Sequence, residues 1–279
     1  MRAVKTMRGD QFSPSSPDAP PSGSGYDASA HRFDLLRPLP DGATQGIRLA
    51  VIRAVGSVTR PHLLDLGAGA GRIGRTFVAA GDDYLGVDLS FSMLGAFLRS
   101  TPHRGPWPAR LVQADGRTLP FRDATFDAVM MMQVFGGMSA WPAVLTETRR
   151  VLRSSGALIL GRTLTPQDGV DAILKRRLAS MLSDLGFDQG HNFRRDVERA
   201  LESTARSAEC VVAASWQVAS TARQFLERRQ TGARFSMLPQ SIKEDVLGRL
   251  GAWAVTAVGS LDTAHSERHA FELKVYRFD

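Results

Sequence analysis

Apolar residues along this chain recur at a helical period, then at a strand period, and the two patterns alternate. In residues 44–58 they fall at 47, 51, 55 and 58, the spacing of one helix face. A short apolar run at 62–66 reads as strand, followed by helix 71–80, strand 84–88, helix 91–99, strand 110–114 and strand 125–132. A helix at 140–153 stops at "RSSG", and strand 157–162 follows. Short apolar runs separated by amphipathic helices form βαβ units, so the sheet is parallel with helices on both faces. In such a sheet ligands bind at the carboxyl ends of the strands.

Past Pro166 the pattern changes. Val170, Ile173, Leu174, Leu178, Met181, Leu182 and Leu185 share one face of a helix over 170–186, and a second helix covers about 193–207. The β-rich run "ECVVAASWQVAS" comes next, then helices near 220–229 and 240–258. Phe271, Leu273 and Val275 alternate in a last strand. More than forty residues separate these two final strands, far beyond the ~2–5 of a direct hairpin. The expected fold is therefore α/β and Rossmann-like. It has a seven-stranded, mostly parallel sheet with helices on both faces, an antiparallel last strand, and a helical cap at 219–266.

Two features limit the chain's surroundings. Residues 9–25, "GDQFSPSSPDAPPSGSG", hold too few apolar side chains to offset their ordering entropy, so residues 1–25 are expected to be a disordered tail. No apolar run reaches the ~18 residues of a membrane-spanning helix, and the only cysteine is Cys210, so a cytoplasmic location is expected. The net charge of +7 raises the question of nucleic acid. Its arginines are dispersed, however, with Lys175-Arg176-Arg177 and Arg228-Arg229 the densest groups, where a binding stripe would be clustered.

The candidate chemistry starts at "LLDLGAGAGRIG", Leu63 to Gly74. From Gly69 it satisfies G-x-G-x-x-G, the dinucleotide pattern; from Asp65 it fits a loop around S-adenosylmethionine. Asp88, at the end of the next strand, would accept ribose hydroxyls from either cofactor. Two further acids separate the cases. Asp65 would repel a pyrophosphate but attracts an ammonium or sulfonium. Asp115, after the following strand, is placed to accept from an adenine amino group. Three acids at three strand ends, beside one glycine loop, favour the sulfonium cofactor over NAD.

Here the chain resembles the class I S-adenosylmethionine-dependent methyltransferases of the broad small-molecule (UbiE-like, methyltransferase type 11) family. The resemblance rests on "LLDLGAGAGRIG", "YLGVDLSFSML", "LVQADGRTLPFRDATFDAVMMMQVF" and "ETRRVLRSSGALIL" and covers about residues 26–163. With no linker between Tyr26 and Asp279, the resemblance falls within one methyltransferase domain over 26–279: cofactor-covering helices at 26–58, a cofactor-binding core at 59–165, and sheet completion with the cap at 166–279. It implies that Gly67, Ala68, Gly69 and Gly71 wrap the methionine and ribose, with Asp65 reaching for the amino group. Asp88 then holds the ribose, Leu89 and Met93 pack on the adenine, and Asp115 with Gly116 meets its edge. Met132 and Gln133 line the methionine arm, while Tyr26 and Arg37 approach from the covering segment. S-adenosyl-L-homocysteine is the implied product.

Gly136-Gly137 stand where many relatives carry histidine, so a base from that position is missing. His191 and His265 are the remaining candidates, and Phe235, Ser236 and Met237 in "QTGARFSMLP" are candidates to line an acceptor site. No His/Cys/carboxylate spacing suits a metal. The expected activity is methyl transfer to a small-molecule acceptor by in-line displacement, achieved mainly by positioning. An RNA methyltransferase and a non-catalytic cofactor-binding scaffold are the alternatives, and oligomeric state is left open.

Overall fold

The computed structural model describes residues 38–56, 58–101, 109–135, 138–187, 193–230, 235 and 238–279, and the backbone of 5–7. The strands are β1 (Lys5–Met7), β2 (Leu63–Leu66), β3 (Tyr84–Asp88), β4 (Arg110–Gln113), β5 (Phe126–Met132), β6 (Leu152–Leu164), β7 (Ser207–Ser220) and β8 (His265–Arg277). The helices are α1 (Asp41–Val55), α2 (Gly74–Ala79), α3 (Phe91–Ser100), α4 (Trp141–Val151), α5 (Val170–Asp184), α6 (Arg194–Glu202), α7 (Ala222–Gln230) and α8 (Gln240–Val258). One sheet runs in the order β1-β4-β3-β2-β5-β6-β8-β7. Its seven strands from β2 onward are those the sequence predicts, and β8 lies antiparallel between β6 and β7.

The short strand β1 falls inside the stretch read as a tail. It pairs antiparallel with β4, Lys5 opposite Gln113, and extends the sheet to eight strands. An open edge offers unpaired main-chain groups to any passing segment, so this pairing leaves no mark in hydrophobic periodicity. Strand β6 begins five residues earlier than its apolar run, because Leu152 follows α4 directly and pairs with Phe126.

Two apolar layers close the sheet. Ile47 and Val51 of α1, Phe77 of α2 and Phe97 of α3 pack on one face with Leu63, Met130, Ile159, Phe271 and Leu273. On the other face Val144 of α4 and Val197 and Leu201 of α6 meet Leu64, Val129, Leu158 and Tyr276. Helix α1 crosses its face closely: a Cβ on Gly46 would stand 2.6 Å from the Ala213 carbonyl oxygen of β7. At its far end the Arg277 guanidinium donates to the Ala54 carbonyl, which places the amino end of α1 at the carboxyl edge of the parallel strands.

Helices α5, α7 and α8 form a third apolar core of their own, from Leu174, Leu178, Met181, Phe225, Val246, Leu250 and Ala254. Chain connections fix its position. Strand β6 runs into α5, β7 runs into α7, and α8 leads into the antiparallel β8, so this unit stands at the carboxyl edge of the sheet. Because its core is separate, Leu250→Ala should cost about 2–5 kcal/mol within this unit alone. Hydrogen exchange should show faster opening of α5, α7 and α8 with the amides of β2, β5 and β6 still protected; uniform loss across the sheet would mean a shared core.

Candidate functional site

The site is built where β2 and β3 end. Gly67 and Ala68 amides donate to the Val87 carbonyl at 2.8 and 2.9 Å, bending the chain around the end of β3. The Asp88 carboxylate then takes the Gly69 amide on Oδ2 and the Ser90 amide on Oδ1, both at 2.8 Å. Ser90 caps α3 through Met93, whose amide donates to its hydroxyl. One carboxylate thus joins the glycine loop to the start of the next helix.

Two loop glycines have distinct reasons. Gly71 has φ +83° and no room for a side chain, since a Cβ would lie 2.5 Å from the Phe97 ring. Gly69 has φ +56° but faces open space among the described residues, with only the Gly67 carbonyl oxygen of these as near as 4.0 Å. The first lets the core close beneath the loop, and the second leaves a bare backbone surface for a ligand to approach.

Asp65 is buried on β2 between this loop and Tyr84. The Tyr84 hydroxyl donates to its Oδ2 at 2.7 Å, while Oδ1 is buried with no hydrogen-bond partner among the described residues. Burial, opposed by the Tyr84 hydrogen bond and aided by the charge of Asp88, pushes its carboxyl up to about 7. The same burial beside Asp65 raises the Tyr84 phenol above its ordinary range, keeping it a donor. A buried carboxylate with an unsatisfied oxygen suits a cationic ligand group.

Leu89, the next residue along, leaves 52% of its surface exposed, while Met93 is buried with Ala70 and Ala96. At the end of β4, Asp115 accepts from its own loop, through the Arg117 amide and guanidinium. Gly116 lies over Leu66 and Val144, 3.5 Å from where its Cβ would stand. Met132 ends β5 against Gly161 of β6. Gln133 has φ +63°, donates from Nε2 to the Thr163 hydroxyl at 2.8 Å and accepts from the Arg72 guanidinium. The loop, Asp65, Asp88, Leu89, Asp115, Met132 and Gln133 therefore sit at neighbouring strand ends, β4-β3-β2-β5.

Other candidates fall elsewhere. Tyr26, Arg37, His191, Ser236 and Met237 lie outside the described residues. The His265 ring is 3.0 Å from the Val258 carbonyl, to which it donates at the carboxyl end of α8. Phe235 belongs to the core of the helical unit and is 7% exposed, so it offers a ligand little surface. Tyr84, Thr163, Glu267 and His269 were not singled out by the sequence. For the last two a signal existed: alternation in "HSERHAFELKV" puts them on the face of Phe271 and Leu273.

A glycine loop tied to an acid at the second strand end, under strand order 3-2-1-4-5-7-6 from β2 on, defines the class I methyltransferase fold. Comparison with known proteins agrees. A methyltransferase-domain family model matches residues 64–160. A demethylmenaquinone methyltransferase of Thermus thermophilus is 31% identical over 150 residues, 53% of this chain and 68% of that protein. One from Renibacterium salmoninarum is 30% identical over 145 residues, 52% of this chain, and the chain spans only 59% of that protein's length. Among solved structures, the YcgJ protein of Bacillus subtilis superposes with a TM-score of 0.54 at 18% identity, covering 84% of this chain and 99% of that one. The chain belongs to the UbiE-like, methyltransferase type 11 family of class I S-adenosylmethionine-dependent methyltransferases. Among the described residues no helix is long and apolar enough to cross a membrane.

Because its folded carboxyl titrates higher than an unfolded one, Asp65 holds a proton in the native state that the unfolded chain has already lost. Its contribution to stability is complete below about pH 4 and is lost as pH rises to about 7. Urea denaturation should show ligand-free stability falling across that window by up to about 1.4 kcal/mol per pH unit from this group. Asp65→Asn should flatten that fall, and an unchanged slope would mean that Asp65 is already ionised when buried.

Proposed function

We propose that the protein transfers the methyl group of S-adenosylmethionine to a small-molecule acceptor. The observation that carries this reading is the buried, half-partnered Asp65 beside the open backbone of Gly69. A dinucleotide would set a pyrophosphate against that carboxylate, whereas the ammonium of the methionine moiety offsets its charge. In this reading Asp65 faces the ammonium and the loop 67–71 wraps the methionine and ribose. Asp88 takes ribose hydroxyls, with Leu89 and Met93 along the adenine and Asp115 and Gly116 at its edge. Met132 and Gln133 line the methionine arm. The bound cofactor supplies an activated methyl, so the chain's own part is to orient the two reactants and exclude water.

The helical unit of α5, α7 and α8 stands at the same sheet edge, in the right place to enclose an acceptor. The names of the similar proteins put a quinone-type ring first among acceptors to test. We further propose a cytoplasmic location, in keeping with the chain's single cysteine.

Calorimetry should detect binding of S-adenosylmethionine and none of NAD; the reverse would remove the assignment of Asp65. Asp88→Ala should weaken the cofactor by about 1–3 kcal/mol, since charge-assisted hydrogen bonds to the ribose are lost together with the loop's anchor. Methyl-labelled cofactor mixed with fractionated cell extract should mark one small-molecule fraction. Label in RNA alone would replace the small-molecule reading, and cofactor binding with no labelled product would leave a non-catalytic scaffold.

A further inference from the structure

Outside the cofactor loop, a second buried acid stands at the start of β8. Glu267 is buried there, and its Oε1 accepts the Val170 amide at 2.6 Å, the first amide of α5. Gly169 makes room for it, since a Cβ there would lie 2.9 Å from the carboxylate. Its other oxygen, Oε2, lies 3.0 Å from Nε2 of His269. A carboxylate only accepts, so His269 donates from Nε2, and in the neutral ring Nδ1 is left as the acceptor. The edge of this ring also meets Trp216 of β7, with centroids 6.1 Å apart.

Register places the pair. Thr163 is opposite Phe271 and Leu164 opposite Ala270, so His269 stands just past the end of β6. By alternation it shares the α1 face with Phe271, and Phe271 packs with Met132 in one core. Strand β8 lies two strands from β5, roughly 10 Å across the sheet, with Thr163 of β6, which accepts from Gln133, between them.

We infer that His269, held by Glu267, is the general base on the acceptor side of the site. This rests on the methyltransferase reading above. His269 takes the proton from an acceptor hydroxyl or ring N–H through Nδ1. The freed electron pair forms the bond to the methyl carbon, and the carbon–sulfur pair returns to sulfur, leaving a neutral thioether. The positive charge that leaves sulfur reappears as the imidazolium, next to the Glu267 carboxylate. Glu267 is thus a positioning residue that fixes the tautomer and ties the base to the first turn of α5.

Proton NMR of the His269 ring, identified by its absence in His269→Gln, tests the placement without any acceptor. With S-adenosylmethionine bound, the ring-proton resonances should lie apart from those in the S-adenosylhomocysteine complex, because only the first sets a sulfonium charge near the imidazole. Identical ring resonances in the two complexes would overturn the placement while leaving the methyltransferase reading intact. If neither ligand binds, that reading fails and this one with it. In the extract fraction that the wild type labels, His269→Gln should slow labelling roughly 10²–10³-fold while cofactor affinity stays within about twofold, with partial recovery on added imidazole. An unchanged rate would make the ring a bystander.

Discussion

The carboxylate of Asp88 is the contact on which the cofactor side of the structure depends. Its two oxygens receive the amides of Gly69 and Ser90, so one side chain sets both the curl of the glycine loop and the start of α3. The loop cannot rely on its own side chains for this, because it has almost none. Its shape comes from outside, through Asp88 and the Val87 carbonyl. A hydrogen bond to an ionised acceptor is roughly twice as strong as a neutral one, which matters where a flexible loop must hold one conformation.

Burying Asp65 beside this anchor opposes stability, and the surrounding sequence limits that cost. Tyr84 supplies one hydrogen bond, and Gly74 supplies the space for Tyr84: a Cβ at position 74 would stand 2.2 Å from the phenol oxygen. Gly74 is the residue that completes G-x-G-x-x-G. Here its role is to admit the ring that supports an acid, and an acid at that place disfavours a dinucleotide. The same letters thus serve different chemistry according to what packs behind them.

Local patterns are legible in the sequence, and partners far apart along the chain are not. The alternation of periods gave seven strands and most helices, because those patterns are local and repeat over many residues. The loop and its three acids were legible because they follow each strand at short range. Tyr84 was not, since its partner Asp65 is nineteen positions away and nothing in "DDYLGVD" marks the phenol as a donor. Phe235 looked like a pocket residue because it sits in a loop-like stretch, yet it belongs to the core of α5, α7 and α8. His265 was a candidate base because Gly136-Gly137 offer none, while its task is local, at the end of α8.

The pair Glu267–His269 shows the other side of the same limit. Glu267 serves three elements at once: it lies on β8, receives the first amide of α5 and holds a ring that abuts β7. Only the antiparallel return of β8 brings these together, since it carries residues from the end of the chain back to the edge where β6 leaves the sheet. A fully parallel seventh strand would have delivered its last residues, not its first, to that edge. The helices and the reversed strand are therefore one device: α7 and α8 stand at the carboxyl edge between β7 and β8, and the reversal ties α5, packed beside them, to the sheet through the buried Glu267 carboxylate.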